Sequence, residues 1–193
     1  MSALKNRFWP NVAASSLLLG ATFACTGSSV EGGEIANTSF SPRSAIHVET
    51  DNNRIRIIMS ERADLCARLQ EDDSRIEDEK SLSIDISDVE ISGFDVDYNV
   101  LEPGDYDIRE GFGDFEGRGS NATFIELDDD CDVDEVEVAS EGEVLIDALD
   151  EKGIISGTFE LEFDGDNAEG SFRAGYCDID ERDIERDSDE CDP

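Results

Sequence analysis

Hydrophobic and polar residues alternate along much of this chain with a period of two. The clearest runs place apolar residues at Leu82, Ile84 and Ile86, at Phe94, Val96, Tyr98 and Val100, at Phe159, Leu161 and Phe163, and at Phe172, Ala174 and Tyr176. Further candidate runs lie at 46–49, 54–59, 106–109, 123–127, 136–138 and 144–148. Strict alternation is typical of strands with one buried face. Turn-forming residues separate the runs at 51–53, 103–105, 151–153 and 164–167.

One short segment has the pattern of a helix instead. Ser60 is placed to cap a turn, Asp64 and Arg68 form an i,i+4 pair, and Leu65 and Leu69 share a face. Many short strands with frequent turns are typical of sandwiches and barrels. The pattern therefore predicts an all-β fold, an antiparallel β-sandwich or barrel of about nine or ten strands, with one short helix near 61–70.

The N-terminus has the layout of an export signal. Lys5 and Arg7 precede an uncharged, mostly apolar segment over 12–24. A basic start followed by such a segment is typical of a signal peptide. The segment is shorter than the roughly 20 residues that a helix needs to span a bilayer. We therefore expect the signal to be removed, with a retained membrane helix as the weaker alternative.

The end of this signal points to lipid attachment. The run Ala21-Thr22-Phe23-Ala24-Cys25 resembles a bacterial lipobox, in which the cysteine is acylated and becomes the first residue of the mature chain. The resemblance implies membrane attachment through acylated Cys25, and Thr26 after the cysteine favours the outer membrane. The alternative is ordinary cleavage after Ala24, which would leave Cys25 as a thiol.

The remaining chain divides by composition. Residues 25–43 are rich in Gly, Ser, Thr and Asn, which is typical of a flexible tether. The alternating runs occupy 44–177, and the last segment is strongly acidic. We predict a signal peptide at 1–24, a lipid-anchored tether at 25–43, a β-domain at 44–177 and an acidic tail at 178–193.

Cysteine usage fits an oxidising compartment. Removal of Cys25 for acylation leaves an even number of cysteines, namely Cys66, Cys131, Cys177 and Cys191. An exported chain with this set is expected to form disulfides, but three pairings are open to four cysteines. The alternatives are one pair with two free thiols, and a metal site. The metal site is disfavoured because the cysteines are widely spaced and the chain has 1 histidine.

Charge narrows the classes of function. The chain carries 50 acids against 15 basic residues, a formal charge of −35. Nucleic-acid binding needs a basic face, so we expect no nucleic-acid partner. A cationic protein partner is compatible with this charge. The acid excess also resembles the surface of salt-adapted proteins, in which acids keep the chain soluble while salt screens their repulsion.

Acid-rich loops offer a candidate calcium site. Calcium binds six to eight oxygen atoms, which loops with alternating acids can supply. The candidate ligands are Asp128, Asp130 and Asp132 in one loop and Asp164 and Asp166 in another. The EF-hand template does not fit, because Val133 occupies the position that requires glycine. A calcium- or cation-binding module is therefore the alternative to a protein without a cofactor.

The sequence offers little support for a catalytic function. The only histidine, His47, lies in a candidate strand, where we expect an ordinary strand residue. No nucleophile elbow, zinc-protease motif, phosphate loop or dinucleotide fingerprint occurs in the sequence. We therefore expect no enzyme. A hydrolase using paired carboxylates, or His47 beside a nucleophile, is the third alternative.

Three segments together resemble a group of uncharacterised bacterial envelope lipoproteins. They are the strand and Asp-Leu-Cys run at 54–66, the Pro-Gly-Asp-Tyr-Asp turn at 103–107, and the hairpin at 157–177 that ends in cysteine. The resemblance implies an all-β domain with a lipidated start and brings no activity with it. The sequence thus predicts a lipid-anchored, exported envelope domain with a non-enzymatic binding or structural role.

Overall fold

A computed structural model of the chain describes most of the predicted β-domain. The residues described are 27–31, 34–35, 38–50, 52–71, 79–93, 95–109, 116–130 and 132–180. The signal segment 1–24, Cys25, Cys131, Cys191 and most of the acidic tail lie outside the described residues. Predictions about those parts of the chain stay predictions.

Strands dominate the described chain, with one short helix, α1, at Leu65–Gln70. The strands are β1 (Gly27–Glu31), β2 (Glu34–Ile35), β3 (Thr38–Ser39), β4 (Ser44–Thr50), β5 (Arg54–Ser60), β6 (Lys80–Ser92), β7 (Asp95–Tyr98), β8 (Gly104–Asp107), β9 (Gly117–Leu127), β10 (Val133–Val138), β11 (Glu141–Ala148), β12 (Ile154–Phe163) and β13 (Asp166–Tyr176). This content confirms the all-β prediction.

One sheet contains 11 of these strands, and its main path follows the order β10-β9-β6-β5-β4-β13-β12-β11-β8. Strand β1 pairs with β13 and strand β7 with β6, while β2 and β3 form a separate small hairpin. The large sheet is curled into a half-barrel. Among the strands described, every pairing is antiparallel except that of β4 with β13, so the sheet is mixed where the alternation predicted an antiparallel one.

Two parallel contacts join two antiparallel halves of the sheet. At the first seam, Ile46 and His47 of β4 lie beside Gly175 and Tyr176 of β13. At the second, a single parallel bridge joins Ile108, just after β8, to Ser120 of β9. Because β8 ends the strand path on one side and β9 lies near its other end, this bridge draws the two sides of the curl together.

The concave side of the curl holds the main core. Alternate residues of β6 and β12 point into it, as the period-two pattern predicted for Leu82, Ile84 and Ile86 and for Phe159, Leu161 and Phe163. Their neighbours on the opposite face are more exposed. Burying about 25 Å² of apolar surface contributes roughly 0.6 kcal/mol, so these rows supply much of the driving force for the curl.

Two glycine–phenylalanine pairs lie in the centre of this core. Gly157 of β12 lies opposite Phe172 of β13, and Phe159 lies opposite Gly170. A Cβ atom at Gly157 would lie 2.1 Å from the carbonyl oxygen of Leu145 and 2.8 Å from the Phe172 ring. Each glycine thus leaves space that the opposite phenylalanine ring occupies, and the strands approach closely there.

The start of α1 differs from the prediction. The helix begins after Asp64, which takes a left-handed conformation and makes no side-chain cap. Ser60 is a buried residue of β5, and its hydroxyl donates to the Glu79 carboxylate instead of capping the helix. Arg68 pairs with Glu79 at 3.1 Å, not with Asp64. The shared face of Leu65 and Leu69 is confirmed, since both are buried.

Part of the predicted tether belongs to the fold. Strand β1 pairs with β13, and the described hairpin that follows buries Ile35 in the main core. Phe40 packs edge-on against Phe124, with the ring centroids 5.6 Å apart. These two apolar side chains explain why a Gly/Ser-rich segment is held against the sheet. The packed domain therefore begins before residue 44.

The burial of strand β7 also differs from the prediction. Its alternation placed Val96 and Val100 on a buried face, but these side chains are 50% and 67% exposed. Strand β7 pairs only with the end of β6, from Val89 to Ser92, beyond the curled part of the sheet. Val96 therefore lies outside the main core, whereas Val89 at the start of the hairpin is buried.

Candidate binding surfaces

A disulfide fixes α1 to the end of the sheet. Cys66 of α1 is bonded to Cys177, which directly follows β13, and their Cα atoms lie 5.6 Å apart. The bond borders a second apolar cluster under the helix, formed by Ile46, Val48, Ile58, Leu65 and Leu69. The structure thus selects one pairing from those left open by the sequence. Cys131 and Cys191, the other two candidates, lie outside the described residues.

The first acid-rich loop, between β9 and β10, is organised by its own backbone. One carboxylate oxygen of Asp128 accepts hydrogen bonds from the N–H groups of Asp130 and Asp132, both at 2.9 Å. Asp130 and Asp132 themselves are exposed. The loop is therefore a tight turn in which Asp128 satisfies backbone donors.

The second acid-rich turn lies elsewhere on the sheet. Asp164 begins the turn between β12 and β13, and Asp166 is the first residue of β13. Near this turn, the N–H of Ser140 donates to the Glu162 carbonyl just after β10 ends. The Asp128 loop precedes the other end of β10, about 20 Å away for a strand of this length. The structure does not bring the two acid-rich loops together.

Metal-ligating side chains are not grouped where the structure can be described. Across the described ranges, no three His, Cys, Asp or Glu side chains lie together so that they could hold a metal ion. Calcium binding by Asp128, Asp130, Asp132, Asp164 and Asp166 stays a prediction from the sequence.

His47 is fully buried at the seam between β4 and β13. Its Nδ1 lies 3.1 Å from the carbonyl oxygen of Ala174, and its Nε2 lies 3.0 Å from the carbonyl oxygen of Glu151. The side chain is 0% exposed. Each ring nitrogen thus lies within hydrogen-bond distance of a backbone carbonyl oxygen, where β4, β13 and the turn after β11 meet. Among the residues that the structure describes, no serine or cysteine forms a hydrogen bond with either nitrogen.

Lys152 makes a small polar cluster outside this histidine. Its ammonium donates to Glu49 at 2.5 Å and to the Tyr176 hydroxyl at 2.7 Å, and it lies 4.1 Å from the Tyr176 ring centroid. The Tyr176 hydroxyl donates in turn to Asp178 at 3.2 Å. The hydrogen bonds to Glu49 and Tyr176 raise the pKa of Lys152 above its usual range, so it stays charged. The cluster fastens the β11–β12 turn to the seam.

Burial changes the pKa of a second titratable group, the Tyr106 hydroxyl. The side chain is fully buried, its hydroxyl donates to the Glu102 carbonyl at 2.6 Å, and the Arg118 guanidinium lies 5.7 Å from the ring centroid. Burial is the main reason that the pKa of Tyr106 is raised above 10.0. The hydroxyl is therefore a neutral hydrogen-bond donor that holds the 102–106 turn together.

Unpaired carboxylates cover the outer face of β11, β12 and β13. Glu143, Glu160 and Glu169 lie directly opposite one another across the three strands, and Glu141 lies opposite Glu162 in the next row. All five are exposed, and within the described chain none is in a salt bridge. Four of these glutamates, all but Glu143, line a groove of about 520 Å³. We call the five residues the glutamate face.

Sequence reasoning did not identify the glutamate face. The alternation shows that Glu141 and Glu143, and likewise Glu160 and Glu162, share a side of their strands. It does not show which strands are neighbours or which residues lie opposite. The register of β11, β12 and β13 is what places these acids opposite one another in two rows of like charge.

The glutamate face leads to a prediction about salt. Like charges directly opposite on a sheet destabilise it, so Glu160→Gln is expected to raise the free energy of unfolding by about 0.5 kcal/mol at low salt. The gain should vanish near 1 M NaCl, where the screening length falls to about 3 Å. Urea unfolding at about 0.01 M and 1 M NaCl measures both values.

Asp95→Asn is the matched control for this comparison. It removes the same charge from an exposed strand position, but Asp95 lies opposite Ser92, not opposite an acid. Its effect at low salt should be clearly smaller than that of Glu160→Gln. Equal effects would mean that total charge matters and the rows do not.

The chain was compared with known proteins. No family model matches it, and neither a curated protein nor a solved structure does. Within the residues described, no helix has the length and apolar character needed to cross a membrane.

Proposed function

We propose that this protein is an exported, lipid-anchored domain of the bacterial cell envelope with a non-enzymatic binding role. The observation that carries the proposal is the Cys66–Cys177 disulfide, which fixes the only described helix to the sheet. Structural disulfides persist in oxidising compartments outside the cytosol. The signal-like segment and the lipobox-like run before Cys25 support the same compartment and add the anchor.

The arrangement of titratable side chains supports a non-enzymatic role. Each ring nitrogen of His47 lies within hydrogen-bond distance of a backbone carbonyl, and Lys152 is held by Glu49 and Tyr176. A general base must reach the proton that it abstracts, and these groups are committed to structural contacts. The exposed acids and sheet edges are better suited to contact with a partner than to chemistry.

The lipid anchor is tested by metabolic labelling of the full-length chain in a bacterial host with an alkyne analogue of palmitate. We expect the wild-type protein to be labelled and to fractionate with the membrane, and its density on a gradient to match the outer membrane. Cys25→Ser is expected to abolish the label and release the protein from the membrane fraction. Two or more acyl chains make such an anchor stable.

Cys191→Ser is the matched control for labelling. It removes a cysteine from the acidic tail, far from the lipobox-like run, and should leave the label intact. Label that survives Cys25→Ser, or a wild-type chain that is unlabelled and released, would contradict the lipid anchor. A Cys66–Cys177 bond absent from protein recovered from the host would contradict export.

A further inference from the structure

Within the described part of the chain, strand β10 leaves one edge of the sheet open. It pairs with β9 on one side, with Val136 opposite Ile125 and Val138 opposite Thr123. Beyond the end of β10, the N–H of Ala139 donates to the Ala122 carbonyl at 2.9 Å in the same register. In antiparallel pairs, hydrogen-bonded and non-hydrogen-bonded positions alternate. The N–H and C=O groups of Val136 and Val138 therefore point away from β9, where no described strand pairs with them.

The side chains of β10 have a regular pattern along this open edge. Val136 and Val138 share one face and are 51% and 48% exposed. Glu135 and Glu137 point to the other face, where they are half-buried and make no salt bridge within the described ranges. The nearest cation in that row, Lys80, pairs instead with Glu126 of β9 at 3.6 Å. The edge thus offers alternating apolar and anionic positions.

The opposite end of the strand path is partly closed by contacts with β9. Strand β8 ends beside β9, where the N–H of Arg109 donates to the Ser120 carbonyl at 2.9 Å. The hydroxyl of Ser120 donates to the Tyr106 carbonyl, also at 2.9 Å. The Arg109 N–H and the Tyr106 carbonyl are therefore bonded within the chain at this end. Of these two ends, as far as the described residues show, β10 is the one with unpaired N–H and C=O groups beside exposed valines.

The acidic side chains of β10 determine which kind of strand can pair with this edge. An exposed edge strand is a template for another strand, and acids on the edge disfavour pairing with a second copy of the same chain. The same acids attract a cationic strand. We propose that β10 is a docking edge for an extended cationic segment of a partner protein, in which basic residues alternate with β-branched apolar ones. The apolar residues would lie beside Val136 and Val138, and the basic ones beside Glu135 and Glu137.

This mode of recognition is strand addition. Main-chain hydrogen bonds to Val136 and Val138 supply affinity, and the alternating side chains supply specificity. The inference rests on the proposed binding role and does not depend on the lipid anchor, which is tested by labelling. Failure of one test therefore leaves the other result intact.

The test uses two labelled octapeptides and the purified full-length protein. One peptide alternates valine and lysine, and the other has the same composition with four valines followed by four lysines. Fluorescence anisotropy is measured at about 0.15 M NaCl, where long-range attraction is screened beyond about 8 Å. We expect the alternating peptide to bind at least tenfold more tightly. Equal binding would overturn the proposal, because charge alone would then explain it.

Variants of β10 distinguish main-chain pairing with the peptide from electrostatic attraction of the peptide. Val136→Pro removes an N–H that the β9 ladder does not use, and proline is tolerated on edge strands. We expect it to weaken binding of the alternating peptide at least tenfold. Glu135→Gln combined with Glu137→Gln should weaken it several-fold, whereas Glu160→Gln combined with Glu162→Gln, the same charge change on the glutamate face, should not. Loss of binding with the control pair alone would overturn the proposal.

Hydrogen exchange gives a readout that does not rely on proline. In the wild-type protein, the amides of Val136 and Val138 should exchange quickly when free and slow at least tenfold with the alternating peptide bound. The amide of Glu137 points to β9 and should already be protected. Binding without new protection at Val136 and Val138 would place the peptide elsewhere and overturn the proposal.

Discussion

Replacing Cys66 and Cys177 together with alanine is expected to lower the free energy of unfolding by about 2–5 kcal/mol. The two residues are separated by 111 positions, so the bond closes a long loop and strongly restricts the unfolded chain. The folded state also depends on the bond, because α1 has only 6 residues and is too short to be stable by itself. Urea unfolding of the oxidised wild-type protein and the variant measures the difference.

Reduction provides the control for this experiment. A reductant should destabilise the wild-type protein by a similar amount and leave the double variant nearly unchanged. Any effect on the variant measures what the remaining cysteines contribute. A wild-type loss below about 1 kcal/mol would contradict the prediction, since it would show that the apolar cluster under α1 holds the helix without the bond.

Gly157→Ala is expected to lower the free energy of unfolding by more than about 3 kcal/mol, although alanine adds a single methyl group. The added Cβ would lie 2.1 Å from the Leu145 carbonyl oxygen, which belongs to the neighbouring strand β11. The paired strands β11 and β12 would have to separate, and the ring of Phe172 would have to move as well. Urea unfolding followed by fluorescence or circular dichroism measures the loss, and a variant that does not fold would also agree with the prediction.

Gly153→Ala is the matched control in the same part of the chain. A Cβ at Gly153 would meet the Asp150 carboxylate, which is the exposed end of a side chain and can rotate away. Its cost should be below about 1 kcal/mol. If the two substitutions cost the same, the close approach of β11 and β12 at Gly157 does not limit the fold.

Local pattern was sufficient to predict most of the strands. Leu82, Ile84 and Ile86 point into the core and Ser83 and Asp85 away from it, as the period of two requires. Alternation fails where a strand leaves the core, as at Val96 in β7. A pattern shows which residues share a face, and the surrounding strands decide whether that face is buried.

Contacts between residues that are distant in sequence could not be predicted from the sequence. Ser60 is a residue type that often caps helices, yet it ends β5, where its hydroxyl donates to the carboxylate of Glu79 just before β6. Cys66 could pair with any of three cysteines until the fold placed Cys177 beside α1. The parallel seam between β4 and β13 has no local signal, since it depends on how the two halves of the sheet meet.

For the candidate surfaces, the sequence predicted the negative charge but not where the charged side chains lie on the fold. Composition indicated an acidic protein, and local acid density drew attention to Asp128, Asp130 and Asp132. The structure directs Asp128 to its own turn and places Glu160 between two carboxylates of neighbouring strands. The open edge at β10 is likewise a property of strand order, because Val136 looks the same in sequence whether its edge is paired or free.

The parallel seam also bears on the order in which this chain can mature. Cys177 reaches Cys66 only when the end of β13 lies beside β4, so the bond marks completion of the seam. A chain that crosses a membrane N-terminus first delivers Cys66 and Cys131 to the oxidising side before Cys177. Contacts so distant in sequence form slowly. In the exported protein that we propose, an early Cys66–Cys131 bond would therefore compete with the native bond and delay completion of the seam.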